Sequence, residues 1–355
     1  MKQHPQTYMP SIQHAIYKAT PQDFIVNEIM DIEFTDEGEH LWLQLQKTNL
    51  NTAYLAKLLA NWANIPVKDV GYSGLKDRLA VTSQWFSLRL PTKTLPKTDL
   101  AEYLTAQLQE GENIQILAQH WHNKKLNRGT HKANQFIITL RDVVGEKADI
   151  ENQLNLIKKQ GVPNYFGEQR FGHEDNNVNF ALELFSTGKI NGKKPHPKFD
   201  RDKISLYLSS ARSELFNAIL AKRVSDNTWQ TPLTGEVFNL DGSHSVFVAE
   251  VDEAILQRLA TADIHLTGAM WGEGELKSHS EVGTLEKQVI DSEEKYQQLA
   301  QGLAQYGLKQ QRRPLRLLPQ DLNWQWLAED TFQLDFTLPT GSFATAVLAG
   351  LGHIS

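Results

Sequence analysis

The stretch Gly71-Tyr72-Ser73-Gly74-Leu75-Lys76-Asp77-Arg78 puts one carboxylate between two cations, just after a pair of glycines. A carboxylate beside Lys and Arg is favoured in its charged form. An ionised carboxylate is what a nucleophile or a general base requires. Gly71 and Gly74 allow a tight backbone turn ahead of it. Ala80-Val81-Thr82-Ser83-Gln84-Trp85-Phe86-Ser87 then runs into an alternating strand. On charge alone the 76–78 triplet reads as a solvated surface turn. Its company elsewhere in the chain points instead to chemistry.

Other chemistries find less support. The chain has no cysteine, which removes disulfides, thiolate zinc sites and a cysteine nucleophile, and fits a reducing, cytoplasmic setting. Its opening, Met1-Lys2-Gln3-His4-Pro5, lacks the apolar stretch of a signal peptide, and no apolar run approaches a membrane span. A soluble protein with no membrane partner is expected. His173-Glu174-Asp175 and His120-Trp121-His122 match no metal-ligand spacing, so no metal is expected. Ser186-Thr187-Gly188-Lys189 satisfies Ser-x-x-Lys without its companion motifs. Gly268-Ala269-Met270-Trp271-Gly272-Glu273-Gly274 is glycine-rich without dinucleotide-site spacing, and there is no P-loop. A nucleotide cofactor is therefore not expected.

Net charge is −6 over 355 residues, yet the charges are segregated. No acid lies between Glu112 and Asp142, where Lys124, Lys125, Arg128, Lys132 and Arg141 occur with His120, His122 and His131. A second cluster holds Lys189, Lys193, Lys194, Lys198, Arg201 and Lys203, and a third holds Lys295, Lys309, Arg312, Arg313 and Arg316. Segregation of this kind can form a positive face on an acidic protein. Three separate solvated loops are the plain alternative.

Period-two alternation predicts strands over 24–29, 41–45, 86–90, 136–140 and 332–336. Alternation implies one wet face, which favours antiparallel pairing. Thr52 is placed to cap a helix carrying Leu55, Leu58, Leu59 and Trp62, and Ser342 to cap a final helix. Between 161 and 308 strand signals thin out, helical patterns cover 209–224 and 284–306, and a Lys/Pro/Gly-rich loop spans 189–203. The expected class is α+β with a mostly antiparallel mixed sheet. A discontinuous first domain (1–160 plus 309–355) is interrupted by an insertion (161–308).

Four segments together resemble the TruD family of tRNA pseudouridine synthases. They are Lys18-Ala19-Thr20-Pro21-Gln22-Asp23-Phe24-Ile25-Val26-Asn27-Glu28, the 74–78 stretch with Gln84-Trp85, Arg128-Gly129-Thr130-His131-Lys132-Ala133-Asn134-Gln135-Phe136, and Gly161-Val162-Pro163-Asn164-Tyr165-Phe166-Gly167-Glu168-Gln169-Arg170-Phe171-Gly172. Ala211-Arg212-Ser213-Glu214-Leu215-Phe216-Asn217 and Leu338-Pro339-Thr340-Gly341-Ser342-Phe343-Ala344-Thr345 extend the likeness over nearly the whole chain. One departure occurs near the end, where Ala349-Gly350 follows Val347-Leu348 in place of the family's Arg-Glu. The resemblance implies a pseudouridine-synthase catalytic domain with an α+β insertion domain. It implies cofactor-free isomerisation of uridine to pseudouridine in tRNA, at position 13 of the D arm, with no obligatory protein partner. Asp77 aligns with the family's catalytic aspartate, and Lys18, Asn134 and Phe136 with its other active-site residues.

Within that resemblance Asp77 either attacks C1′ or removes the 2′ proton, with Lys18 as its counter-charge. Phe136 offers a ring to an extruded base, and Asn134, two residues earlier on the same face, a hydrogen bond to the uracil edge or to Asp77. Lys76, Arg78, Glu28, Arg128, Lys132 and Arg170 complete the expected substrate-binding set. Tyr165, Phe166 and Phe171 read as a buried cluster. A non-catalytic RNA-binding or RNA-folding protein on the same scaffold is the alternative, and a small-molecule hydrolase or lyase using Asp77 a third reading.

Overall fold

A computed structural model describes residues 4–196 and 200–355. Met1, Lys2 and Gln3 of the opening, and Lys198 of the second basic cluster, lie outside the described residues. By its contacts the chain divides into two units. One comprises 10–152, 319–341 and 352–355; the other comprises the described residues within 1–9, 153–318 and 342–351. The sequence expectation set the edges at 160/161 and 308/309. The contact division sets them at 152/153 and 318/319, and groups the last helix with the middle segment.

The first unit is built on a ten-stranded sheet. Its strands are β1 (Ile12–Tyr17), β2 (Phe24–Ile29), β3 (His40–Thr48), β4 (Val70–Tyr72), β5 (Val81–Arg89), β6 (Asn113–His122) and β7 (Ala133–Val144), with Gln320–Trp326, Phe332–Pro339 and Gly352–Ile354. From Gln320–Trp326 the order runs through Phe332–Pro339, β7, β2, β5 and β3 to β6, with β1 added to β7 and β4 to β5. Pairing is antiparallel except for β2 with β5 and β1 with Gly352–Ile354. This is the expected α+β class with a mostly antiparallel mixed sheet.

Alternation explains these strands. In β2 the side chains of Phe24, Val26 and Glu28 are buried while those between them are half-buried. In β3, Leu41, Leu43 and Leu45 are fully buried against Leu55, Leu58, Leu59 and Trp62 of α1 (Thr52–Trp62). Burial of each leucine is worth roughly 1.5–3 kcal/mol, so this layer fixes β3 and β5 firmly. The helix starts one residue earlier than expected in its chemistry. Asn51, not Thr52, is the cap, its side-chain oxygen accepting from Ala53 and Tyr54 N–H at 2.8 and 3.3 Å. Thr52 is already helical and buried, and its hydroxyl turns inward. The last helix, Ala344–Ala349, likewise follows Phe343 rather than a Ser342 cap.

The second unit holds a four-stranded sheet in the order Val246–Val248, Val237–Leu240, Ile264–Met270, Gln311–Pro314, antiparallel throughout. Its core joins Phe216 and Leu220 of the helix Arg201–Ser225 to Phe238 and Leu303. That helix begins inside the expected 189–203 loop, and the expected 284–306 helix is two, Ser280–Asp291 and Glu294–Gln305. Tyr165, Phe166 and Phe171 belong to this core.

Neither of the two glycines ahead of Asp77 adopts the left-handed region. Gly71 lies on β4, where a Cβ would run into the Leu126 carbonyl and, at 2.6 Å, the Ser87 hydroxyl. At Gly74 the nearest atom to an added Cβ is 3.8 Å away, on the His131 ring. Gly71→Ala is therefore expected to destabilise by about 1–3 kcal/mol, and Gly74→Ala to stay within about 0.5 kcal/mol of wild type. Thermal and urea unfolding of both variants check this; equal losses would contradict the close-approach account.

Candidate active site

Asp77 sits on the connection between β4 and β5, and its backbone is moored from beneath. The Gln84 amide donates to the Gly74 carbonyl at 3.0 Å. The Thr52 hydroxyl accepts from Lys76 N–H at 3.1 Å and donates to Gln84 Oε1 at 3.0 Å. Lys47 Nζ donates to the Asp77 carbonyl at 2.8 Å, and Gly129 N–H donates to the Ser73 carbonyl at 2.8 Å. Thr52, Gln84 and Lys47 are all buried. The Asp77 carboxylate is the part left open, its side chain 39% exposed.

That carboxylate meets Lys18 Nζ at 2.7 Å. Lys18 follows β1 with φ at +58°, a left-handed conformation that costs a non-glycine residue roughly 1–2 kcal/mol. The turn carries its ammonium across the Phe24 ring, 4.0 Å from the centroid, toward Asp77. An ion pair this exposed contributes about 0–1 kcal/mol. Pair and strain together add nothing appreciable to stability, so the arrangement is one of position.

The cations flanking Asp77 in sequence do not flank it in space. Lys76 turns inward, with Nζ 3.4 Å from Glu28 Oε2 and 2.5 Å from Asn134 Oδ1. Arg78 turns outward and donates to the Asn49 carbonyl at 3.1 Å. The triplet thus separates its charges, and the counter-charge comes from Lys18, far away in sequence. Glu28, opposite Asn134 in the β2–β7 register, also accepts Trp85 N–H at 3.1 Å. Burial pushes the Glu28 carboxyl up and the Lys76 ammonium down, each opposed by its partner's charge.

Asn134 and Phe136 share the face of β7 that carries this network. Phe136 stacks on Phe336 at 5.7 Å and meets Phe24 edge-on at 6.1 Å, leaving it 8% exposed. Behind Asn134 lies buried His131. Its Nδ1 is 2.5 Å from Ser73 Oγ, and its Nε2 is 3.3 Å from Asn134 Nδ2. Burial, with Lys76 adding to it, pushes this imidazole down to about 4.

The other expected residues are less concentrated. Arg128 is exposed and Lys132, also exposed, lies 3.8 Å from Asp31. Arg170 belongs to the second unit, where it donates to Ser209 at 3.0 Å and lies over Phe166 and Phe343. The third basic cluster is not a positive face. Lys295 pairs with Glu214, Lys309 with Glu273, and Arg312 with Glu286 in full burial. In the first cluster Arg141 grips Asp23 in a fork at 2.7 and 2.9 Å, and His120 stacks on Phe34 beside Asp36. No group of metal-ligating side chains occurs among the described residues.

Lys47 is the residue that sequence reasoning missed. It is wholly buried, yet it stands in phase with Leu41, Leu43 and Leu45 on β3. A lysine at the end of a run of core positions is the signal that could have found it, since buried lysines are rare without a partner.

The sequence and the fold both have relatives. A sequence model described as tRNA pseudouridine synthase D (TruD) matches residues 7–184 and 194–351. The tRNA pseudouridine synthase D of Psychrobacter arcticus is 48% identical, the match covering 98% of this chain and 92% of that one. That of Xanthomonas euvesicatoria is 44% identical, with 99% and 95% covered. A crystal structure of the putative tRNA pseudouridine synthase D from Methanosarcina mazei superposes with a TM-score of 0.68 at 19% identity, covering 99% of this chain and 96% of that one. That last likeness concerns the fold.

Burial lowers the Lys47 pKa from 10.5 to about 8, with Asp77 opposing the shift. Between those values the unfolded chain holds a proton there that the folded chain does not, so stability from this group rises with pH across the window. Lys47→Met is expected to lose that rise and, with the Asp77 carbonyl unanchored, to turn over roughly tenfold more slowly. Urea unfolding at pH 8 and pH 10 with a rate assay checks both; parallel stability profiles at an unchanged rate would contradict the anchor.

Proposed function

The chain belongs to the tRNA pseudouridine synthase D family, and within that family's reaction, the isomerisation of uridine to pseudouridine in tRNA, we propose that Asp77 is the catalytic carboxylate acting at position 13 of the D arm. The observation that carries the reading is a half-open carboxylate, paired with Lys18 at 2.7 Å, on a backbone moored by buried groups.

The N1–C1′ bond of the uridine breaks, the base turns, and C5 bonds to C1′. N1 gains a proton and C5 loses one, so atoms balance without a co-reactant. Asp77 serves by attack at C1′ or by taking the 2′ proton, and both routes need its anion against the ribose. Lys18 supplies the counter-charge. A side chain reaches C1′ only when the nucleotide leaves its stack. Phe136 packs against the extruded base, ring stacking of this kind being worth about 1–3 kcal/mol, and Asn134 hydrogen-bonds its edge. Glu28 and Lys76 hold Asn134 rather than touching RNA. Arg78, Arg128 and Lys132 are the exposed cations of this unit placed for phosphates, which position the RNA without specifying it. The unit built on 153–318 is taken as the family's insertion domain, with Arg170 as a residue of its fold.

Asp77→Asn is expected to bind tRNA as the wild type does and to form pseudouridine at least about 10²-fold more slowly. Mapping pseudouridines in tRNA from cells with the wild-type gene, the variant or neither tests residue and position together. Near-native turnover by the variant would remove Asp77 from the chemistry. A lost modification outside the D arm would correct the position. Unchanged biological activity with no modification lost would favour the RNA-binding alternative.

A further inference from the structure

The hydrogen bonds around Asn134 fix its orientation without ambiguity. Lys76 Nζ lies 2.5 Å from Asn134 Oδ1, and an ammonium can only donate, so the oxygen of that carboxamide is occupied. The nitrogen then faces His131 Nε2 at 3.3 Å as donor, which makes Nε2 an acceptor. The imidazole proton is left on Nδ1, 2.5 Å from Ser73 Oγ, and that oxygen also accepts His131 N–H at 2.9 Å. His131 is buried, and the nearby Lys76 charge further disfavours a second proton on it. Every member of the chain from Glu28 through Lys76, Asn134 and His131 to Ser73 is thereby assigned a direction. The Asn134 carboxamide keeps one N–H with no acceptor among the described residues.

A donor at that place suits the reaction in a specific way. A half-turn of uracil about the axis through N3 and C6 exchanges N1 with C5, and it also exchanges O2 with O4. A fixed N–H that meets one carbonyl before the base turns meets the other carbonyl afterwards. A carboxamide with its oxygen forward would face a carbonyl lone pair in both orientations. We propose that His131 is a positioning residue, whose Nδ1–H tautomer, held by Ser73, accepts from the Asn134 nitrogen and, with Lys76 on the oxygen, aims Asn134 as a donor-only reader of a uracil carbonyl in both substrate and product. This rests on the reading above that Asn134 meets the base.

Single-turnover rates and tRNA affinity are measured separately on the full-length protein, with tRNA from cells lacking the modification. His131→Leu removes the acceptor and leaves the carboxamide held only at its oxygen by Lys76, so that its nitrogen can tilt away, and the rate is expected to fall roughly tenfold or more at an affinity within about twofold of wild type. His131→Gln puts an amide oxygen where Nε2 stands and is expected to recover to within about threefold of wild type. A purely packing role would give the glutamine variant no such advantage. His131→Leu at the wild-type rate, or a folded His131→Gln more than tenfold slow, overturns the proposal. If His131→Leu does not fold, the glutamine variant decides alone on those limits. Asn134→Ala is the reference: a wild-type rate there would remove Asn134 from base contact altogether, a failure of the earlier reading rather than of His131's hold on it.

Discussion

The site depends on a buried ammonium holding a backbone carbonyl. Lys47, fully buried at the end of β3, takes the carbonyl of Asp77 at 2.8 Å. Taking a lysine out of water is costly unless its hydrogen bonds are met. Here the cost is borne at Asp77, the residue proposed to carry the chemistry. With the carbonyl held from below and Lys76 N–H held by Thr52, the loop has little freedom left, and the carboxylate points where the backbone sends it. Lys18 then meets it from β1 on a left-handed turn that stability alone would not select.

Around this anchor the charges are sorted by burial. Glu28 and Lys76 are withdrawn beneath the surface and fix Asn134, while Arg78 stays in solvent on the Asn49 carbonyl. The same sorting accounts for much of the basic character further along the chain. Arg312 is buried with Glu286, and Arg223 with Glu236 at 2.7 Å. Removing one partner of such a pair costs about 3–5 kcal/mol because a lone buried charge remains. These arginines serve the fold and are not available to a polyanion.

What was legible in the sequence follows the physics of half-wet strands. β2, the second half of β3 and the first half of β7 alternate because one face is covered, and they could be read at sight; β5 is buried on both faces from Thr82 to Leu88, and only its Phe86-Ser87-Leu88-Arg89 end alternates in sequence. Ile264–Met270 is buried at all but its last residue, and only Ile264-His265-Leu266-Thr267 alternates, too short a run to be read as a strand. Asn51 and Thr52 are both good caps, and only the inward pull of Gln84 and Lys76 on the threonine decides between them. In the candidate site, resemblance to the family singles out Lys18, Asp77, Asn134 and Phe136, which the structure places just after β1, on the β4–β5 connection and on β7. The separate directions of the triplet's cations were not legible, since the 76–78 connection lies between β4 and β5 and follows no strand or helix period. Lys47 and His131 were hidden because a buried lysine and a neutral histidine act through partners that only the register of β3, β5 and β7 brings near.

The account stands on Asp77 being carried to the ribose of an unstacked uridine by a rigid backbone. A structure of the Asp77→Asn variant bound to tRNA tests that directly. The prediction is a uridine out of its stack, with C1′ about 3–3.5 Å from the side chain at position 77 and the loop carbonyl still on Lys47. A bound tRNA whose displaced nucleotide lies away from that side chain, or a loop that has left Lys47 to reach it, would contradict the account.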